Sequence, residues 1–311
     1  MAAALTNGKG FYDSLVYVLE CHRLGLKFLP PTVNEPGPQF MAHGNTIRVP
    51  LTGAKGLAKR TIKRLLDERE RGAFVSMADF HRRVKPLPEE METLIRAGGF
   101  DEFGQMRTRQ FWEAQRLAKA DGRWQMADRE NLEFDFEAGR NPVSDFFAQN
   151  PALLREPTRR ERLEAETELF GYAVSGHPLE LFNDVAWDTY CPVARLSEHL
   201  GETVVTCGLV VEQRTHHQIT GEPMKFLTLA DWTGMVETEL FAQSYKSYGL
   251  ATVRSPVLEI IAIVEPFDNG RGFSLRVLRA GKPRRPVVLQ DNSVTSDPCY
   301  CGSELVSGTN R

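Results

Sequence analysis

Five strand-like segments between residues 203 and 279 constrain the fold of this chain more than any other feature of the sequence. They read VVTCGLVVEQR, MKFLTLADW, MVETELF, VLEIIAIVE and FSLRVLRA, and each is alternating or apolar and rich in β-branched residues. A short helical stretch, AQSYKSYGL, separates the third segment from the fourth. Strand-strand-strand-helix-strand-strand is the order of an OB-fold, a small five-stranded Greek-key barrel. We therefore predict an OB-fold domain over residues 201–281.

Before the barrel, the sequence has helical periodicity that glycine and proline interrupt at short intervals. A strand is predicted at residues 46–51, and helices are predicted at residues 11–28, 58–71, 77–84, 88–97, 105–121 and 157–170. Gly72, Pro86 and the pair Gly98–Gly99 separate several of these helices. Helices this short bury little surface alone, so we expect neighbouring helices to pack on one another as hairpins.

One of these boundaries, LTGAKGLAKRTIKRLL, has the spacing of a helix-hairpin-helix motif. A tight turn at Gly56 and Ala58 would expose backbone N–H groups, and the next helix would present the positive end of its dipole. Such a turn binds a phosphate without reading the base sequence. Ala58 stands where glycine is usual and tolerates positive φ poorly, so we expect a distorted turn or one that avoids that conformation. The residues predicted to bind the DNA backbone are Lys55, Gly56, Ala58, Lys59, Arg60, Lys63 and Arg64.

The charge distribution around this motif favours a polyanionic partner. Residues 46–85 carry eleven Lys and Arg side chains against four Asp and Glu, whereas the whole chain has a net charge of −3. Phosphate backbones are the commonest reason for such asymmetry. The alternative is a solvated helix face with no ligand, which charge runs on helices frequently represent.

A second hairpin is predicted at LPEEMETLIRAGGFDEFG, where Glu89, Glu90 and Glu92 would repel a phosphate. We expect this half to be structural. The two hairpins form a predicted tandem helix-hairpin-helix DNA-binding domain at residues 46–121. The predicted fold class is therefore α+β multidomain, a helical helix-hairpin-helix domain followed by a five-stranded OB-fold β-barrel.

The barrel offers candidate contacts for single-stranded nucleic acid. OB-folds stack bases on aromatic side chains of the second and third strands and attract phosphates with nearby cations. Here those candidates are Arg214, Lys225, Phe226, Trp232 and Phe241. Small barrels also need aromatic side chains inside, so each of these aromatics has a core position as its alternative.

Other features exclude several classes of protein. There is no apolar run long enough for a transmembrane helix and no basic, apolar secretory signal, so we expect no membrane association. Five scattered cysteines argue against a disulfide framework and indicate a cytoplasmic location. The adjacent pair His216–His217 diverges on a strand, and Cys299 with Cys301 supplies two ligands where zinc needs four. We expect no metal, no cofactor and no catalytic residue in this chain.

Four segments together resemble a known family. GLKFLPPTVNEPGPQF and IRVPLTGAKGLAKRTIKRLLDERERGAFVSMADFHRRV, with LIRAGGFDEFG, look like the end of the fingers and the helix-hairpin-helix region of bacterial C-family DNA polymerase III alpha subunits, replicative or error-prone. ELFGYAVSGHPLELF resembles the segment that leads into the OB domain of that family. The similarity runs from about residue 8 to residue 280.

This resemblance implies that the hairpin domain holds double-stranded DNA and that the barrel approaches single-stranded template, in DNA replication or error-prone repair synthesis. The family's catalytic palm lies upstream of the matching segments, so we expect no DNA-directed polymerase activity from this chain alone. The family also binds the sliding clamp through a Gln-x-Asp-Leu-Phe-like peptide. The nearest match is Asp145, Phe146 and Phe147, with Val143 in place of glutamine. Docking of the two phenylalanines on a neighbouring helix is the alternative.

The expected domains are a remnant of the fingers at 1–45, the hairpin domain at 46–121, a linker and helical segment at 122–200, the OB-fold at 201–281 and a disordered tail at 282–311. The expected partners are double-stranded and single-stranded DNA, the sliding clamp and other components of replication or repair polymerases. A second function stays open: a non-catalytic protein-interaction scaffold of the replication machinery that contacts DNA weakly.

Overall fold

In the computed structural model, residues 1–7, 12–35, 37–120, 155–218, 220–267 and 272–286 are described. The helices of these residues are α1 (Ala2–Asn7), α2 (Ser14–Arg23), α3 (Lys59–Glu70), α4 (Met77–Val84), α5 (Pro88–Arg96), α6 (Arg107–Ala120), α7 (Arg159–Phe170), α8 (Ala242–Tyr248) and α9 (Ala251–Arg254). The strands are β1 (Lys27–Leu29), β2 (Met41–His43), β3 (Thr46–Arg48), β4 (Thr203–His217), β5 (Pro223–Ala230), β6 (Met235–Leu240), β7 (Val257–Phe267) and β8 (Gly272–Gly281).

The five C-terminal strands close into a barrel in the order β4-β5-β6-β8-β7, with β7 returning to pair with β4. All neighbours are antiparallel except β6 and β8, which pair in parallel. The inward side chains include Leu227, Leu229, Ile260, Val264 and Leu275, all nearly inaccessible to solvent. This closed barrel, with α8 and α9 between β6 and β7, confirms the predicted five-stranded fold.

The helical block forms a separate core around Phe80, Leu94 and Phe100. Phe80 contacts Phe74 and Phe100 edge to face, at ring-centroid distances of 5.0 and 5.1 Å. All but one of the predicted helices lie within two residues of their predicted ends. The exception is the helix predicted at 11–28, which ends at Arg23 because Gly25, at φ 74°, turns the chain into β1.

A three-stranded sheet with the order β1-β3-β2 lies on the N-terminal side of the helical block. Phe28 of β1 is in register with Ile47 of β3, so residues 46–48 pack with the preceding segment rather than with the hairpins. The predicted strand is also shorter than expected, because Pro50 is followed by a 3₁₀ turn at Leu51–Gly53.

Residues 155–200, predicted as a linker and helical segment, connect all the cores. Leu169 packs into the helical block, Tyr172 and Val174 pack against the N-terminal sheet, and Leu179 packs under β4 and β7. The remainder of the predicted linker, residues 121–154, lies outside the described residues.

The start of the predicted disordered tail is bound to the protein, which corrects that expectation for residues 282–286. The Arg284 amide donates to the Tyr190 hydroxyl at 2.6 Å, and the Arg284 carbonyl accepts from the Ala186 amide at 2.9 Å. The Arg284 guanidinium also pairs with Glu259. Residues 287–311, with Cys299 and Cys301, lie outside the described residues.

Candidate nucleic-acid interface

The predicted hairpin turn lies on the surface between the 3₁₀ turn and α3. Gly56 has a φ of 95°, and a Cβ at this position would lie 3.0 Å from the Thr93 hydroxyl, so glycine is required here. Ala58 is extended, at φ −71° and ψ 144°. The turn therefore needs positive φ at Gly56 alone, which explains how alanine is accommodated at position 58. Lys55, Gly56 and Ala58 are all exposed.

A buried carboxylate occupies part of the N-terminus of α3. Glu90, only 3% exposed, accepts hydrogen bonds from the Ala58 amide at 3.0 Å and the Thr61 hydroxyl at 2.9 Å. It also accepts from the Leu87 amide at 2.8 Å, at the start of α5. Because Ala58 has no capping side chain, Glu90 caps α3 from another helix. The expectation that Glu90 would repel a phosphate is corrected by the structure, because Glu90 is buried and its carboxylate connects α3 to α5.

The exposed cations of α3 lie on one face. Successive helical residues are about 100° apart, so Lys59, Lys63, Arg60 and Arg64 span an arc of about 140°. Thr61 and Leu65 are buried on the opposite side. Within the described residues these four cations form no ion pair, and neither does Lys55. The turn and this face, Lys55–Arg64, are called the hairpin surface below.

Most other cations of the basic segment are neutralised locally. Ion pairs join Arg48 to Glu35, Arg71 to Glu68, Arg82 to Asp79, and Arg83 to both Glu68 and Asp79. The total charge of residues 46–85 therefore overstates the basic surface, because the cations without an ion pair concentrate at the hairpin surface.

Lys55 connects the hairpin surface to α7. Its amide donates to the Leu169 carbonyl at 2.9 Å. Its ammonium lies near Glu168, whose pKa is lowered mainly by a hydrogen bond from Arg96 and to a smaller extent by Lys55. The turn is thus fixed to the helix that leads into the barrel.

The second hairpin turn is closed by an ion pair between the buried Arg107 and the exposed Asp101. Arg107 donates to Asp101 from Nε at 3.0 Å and from Nη2 at 2.6 Å, and its Nη1 donates to the Arg96 carbonyl. A Cβ at Gly98 would lie 2.5 Å from Arg107 Nη2. The side chains of Arg107 and Asp101 therefore occupy the space beside this turn.

The barrel separates the candidate single-strand residues instead of bringing them together. Phe226 lies half-buried on the outer face of β5, opposite Arg214 of β4 and Glu239 of β6. The His216 ring contacts Phe226 edge to face at 5.6 Å. Arg214 donates to Glu212 at 2.6 Å, so its charge is offset on the same strand.

The other three candidates have different positions. Lys225 is 5% exposed and donates to the Thr252 hydroxyl at 2.7 Å, so it lies inside and is no surface contact; burial lowers the pKa of its ammonium. Trp232 lies in the turn after β5 and stacks on His177, with ring centroids 4.5 Å apart. Phe241 lies after β6, as the N-cap residue of α8, and is 37% exposed.

No local sequence pattern singles out His177, which follows α7. Its ring lies between Trp232 and His22 of α2, with the His22 centroid 4.8 Å away. Burial, and then the neighbouring His22, lower the pKa of His177 to about 4. Its Nδ1 accepts from the Leu179 amide at 3.2 Å, which requires an unprotonated nitrogen. Contacts between residues this distant in sequence leave no local signal.

The remaining candidate features are the clamp-binding peptide, metal sites and membrane-spanning helices. Asp145, Phe146 and Phe147, predicted to bind a sliding clamp, lie outside the described residues. In the described part of the chain, no group of three or more His, Cys, Asp or Glu side chains could hold a metal ion. The helices of that same part include none with the length and apolarity needed to cross a membrane.

Comparison with known proteins identifies relatives of this chain. Residues 25–110 match a family described as a helix-hairpin-helix motif. DNA polymerase III subunit alpha of Thermus aquaticus is 31% identical over 297 residues, covering 89% of this chain and 22% of that protein. The Deinococcus radiodurans subunit is 28% identical (87% of this chain, 21% of that protein), and a Mycobacterium tuberculosis subunit is 29% identical (86% and 24%).

Among solved structures, RecG bound to a three-way DNA junction aligns with 57% of this chain and 23% of that chain, at 13% identity. Its TM-score of 0.24 is too low to support a conclusion about the fold or the function of this chain. The helix-hairpin-helix match and the barrel together confirm the predicted fold class. The chain belongs to the family of bacterial DNA polymerase III alpha subunits, and it spans about a fifth of the length of these relatives.

Proposed function

We propose that this chain is a DNA-binding module of a DNA polymerase III alpha-like protein, and that the hairpin surface binds the phosphate backbone of duplex DNA. The observation that carries the proposal is the exposed turn at Gly56 with five neighbouring cations that form no ion pair in the described residues. Phosphate contacts position a protein on DNA without specifying sequence, so we expect binding to be sequence-independent. The context is DNA synthesis in replication or repair.

The expected strength of this interaction follows from the number of free cations. If about four of the five neutralise a phosphate, the logarithm of the binding constant falls with a slope of about −3.6 against the logarithm of salt concentration. Duplex affinity then drops about 100-fold between roughly 50 and 200 mM salt. A scaffold with weak DNA contact would give a much shallower slope.

Charge reversal tests the proposal. The variant with Lys55, Lys59, Arg60 and Lys63 changed to glutamate should lose salt-sensitive binding to a fluorescent duplex of arbitrary sequence. The matched control reverses four exposed cations elsewhere: Arg109, Arg116, Lys119 and Lys246. This control makes the same change in net charge and should retain most of the affinity. Equal losses of duplex affinity in both variants would show that the effect comes from overall charge alone, and would refute the assignment of the hairpin surface.

We further propose that the barrel contacts single-stranded DNA through its outer face at Phe226. The supporting observation is that Phe226 remains partly accessible beside Arg214 and His216. Glu212 and Glu239 lie on the same face, so stacking rather than phosphate attraction must dominate. Phe226→Ala should weaken binding of a short oligothymidine by about 10-fold and leave duplex binding unchanged.

A further inference from the structure

A groove lies beside the hairpin surface, between α3 and the connection from α4 to α5. Its volume is about 590 Å³, and it is lined by Arg60, Thr61, Arg64, Val84, Lys85, Leu87 and Pro88. Three of these residues are cations, and none of the lining residues carries a carboxylate. The groove therefore combines a cationic rim with a largely apolar floor.

The backbone at Lys85 is unusual for the residue that it carries. Lys85 ends α4 in the left-handed conformation, at φ 52° and ψ 56°. It is the only residue other than glycine with positive φ in the described part of the chain. Glycine or asparagine normally takes this position, because a Cβ makes the left-handed conformation unfavourable. A lysine here adds a positive charge at the edge of the groove at the expense of local stability.

The floor of the groove is rigid. Glu90 lies beneath it and accepts hydrogen bonds from Thr61 and from the Leu87 amide, two of the lining residues. Pro86 and Pro88 flank Leu87 and restrict the backbone on both sides. Since both oxygens of Glu90 are engaged with protein donors, its charge is directed at those groups rather than into the groove.

Arg60 and Arg64 belong to both the hairpin surface and the groove. They lie one helical turn apart, on the side of α3 that faces Lys85, while Lys59 and Lys63 lie on the other side of the cationic arc. The α3 helix thus presents two parallel rows of cations. One row continues from the turn at Gly56, and the other opens into the groove.

We propose that this groove binds a backbone phosphodiester of the same DNA strand that contacts the hairpin turn, with Arg64 and Lys85 on either side of the phosphate. The inference rests on the proposed duplex binding and adds a second phosphate position to it. The deoxyribose, which is less polar than the phosphate, would lie against Leu87 and Pro88. Free inorganic phosphate shares the recognised chemistry, so the test must separate these two sources.

Two single substitutions in the full chain test the groove. Lys85→Gly and Arg64→Gln should each reduce the salt slope of duplex binding by about 1 and the affinity about fivefold. Lys85→Gly should also raise Tm by about 2 °C, because glycine relieves the unfavourable conformation. A lower affinity in a more stable protein cannot result from unfolding. The matched control is Arg82→Gln, which removes an exposed cation from the same end of α4 that is already paired with Asp79.

The outcomes separate the groove from the proposed function. If Lys55→Gln with Lys59→Gln weakens duplex binding while the groove variants bind like wild type, the groove proposal is wrong and the hairpin surface stands. If neither set changes duplex binding, both proposals fail. If millimolar inorganic phosphate stabilises wild type but not the groove variants, and the duplex salt slope is the same in all, the groove binds free phosphate and the DNA assignment is overturned.

Discussion

Glu90 connects the two helices that frame the hairpin turn, and its substitution by glutamine measures how much that connection stabilises the protein. Glutamine has almost the same shape, so the change leaves no cavity. Its carbonyl oxygen can keep the Leu87 and Thr61 hydrogen bonds, but its NH₂ group then faces the Ala58 amide, and two donors meet. The Ala58 amide is left without an acceptor next to a helix N-terminus that has lost its negative charge.

Two contributions set the magnitude. Loss of a hydrogen bond to a charged acceptor destabilises a protein by about 1.5–3 kcal/mol, and loss of a charge at a helix N-terminus adds about 0.3–1 kcal/mol. We therefore expect Glu90→Gln to lower the free energy of unfolding by about 2–4 kcal/mol. Equilibrium urea unfolding, followed by far-UV circular dichroism, measures this as a lower midpoint at constant m-value.

The control for this prediction is Glu92→Gln, one turn of the same helix away from the N-terminus and exposed to solvent. Substitutions of this kind usually stay within about 0.5 kcal/mol of wild type. If Glu90→Gln lies in the same range, the carboxylate is not the bond between α3 and α5 that its contacts indicate. Hydrogen exchange at the Thr61 and Leu87 amides localises the effect, because the destabilised N-termini should exchange faster.

Two further predictions concern charge. His177 is held neutral by the fold, with its pKa lowered to about 4, so between that value and its usual pKa of about 6.5 the unfolded chain binds more protons than the folded one. The free energy of unfolding should therefore fall as the pH drops from about 6.5 to 4, by about 1–2 kcal/mol because His177 is partly exposed to solvent. Urea titrations at a series of pH values should show a weaker pH dependence for His177→Asn. Asp67 lies on the same face of α3 as the hairpin cations, so Asp67→Asn should raise duplex affinity about threefold at low salt. Above about 0.5 M salt, where charges are screened, the substitution should give no gain in affinity. An unchanged affinity at low salt would place the DNA path away from the second half of α3.

The sequence predicted the architecture well because local patterns determine it. The β-barrel strands follow from alternation, and the helix ends follow from glycine and proline. The alternation of side chains along β5 also predicts the position of Lys225. Lys225 shares a strand face with Leu227 and Leu229, and both leucines are fully buried. The period of two along β5 therefore places the Lys225 side chain inside the barrel, although lysine is a residue type usually found at the surface.

The roles of Glu90 and Trp232 depend on contacts that no local pattern specifies. Glu90 reaches Ala58 across 32 positions of sequence, and Trp232 reaches His177 across the boundary between the helical segment and the barrel. A glutamate three residues after Leu87, with proline at the first helical position, is nevertheless a capping pattern. That pattern predicts a bound Glu90 carboxylate, although it does not reveal the second helix that the carboxylate caps.

The contacts between the turn, α7 and the barrel have a consequence for how DNA would be bound. The Lys55 amide is hydrogen-bonded to the Leu169 carbonyl, and eight residues after Leu169, His177 stacks on Trp232 of the barrel. The hairpin surface and the barrel are therefore joined by a short, largely buried segment rather than by a flexible linker. In the proposed function, a DNA that reaches both surfaces meets them already oriented, so the second contact requires little further loss of freedom. The stacking of Trp232 on His177 fixes the barrel to the segment that follows α7.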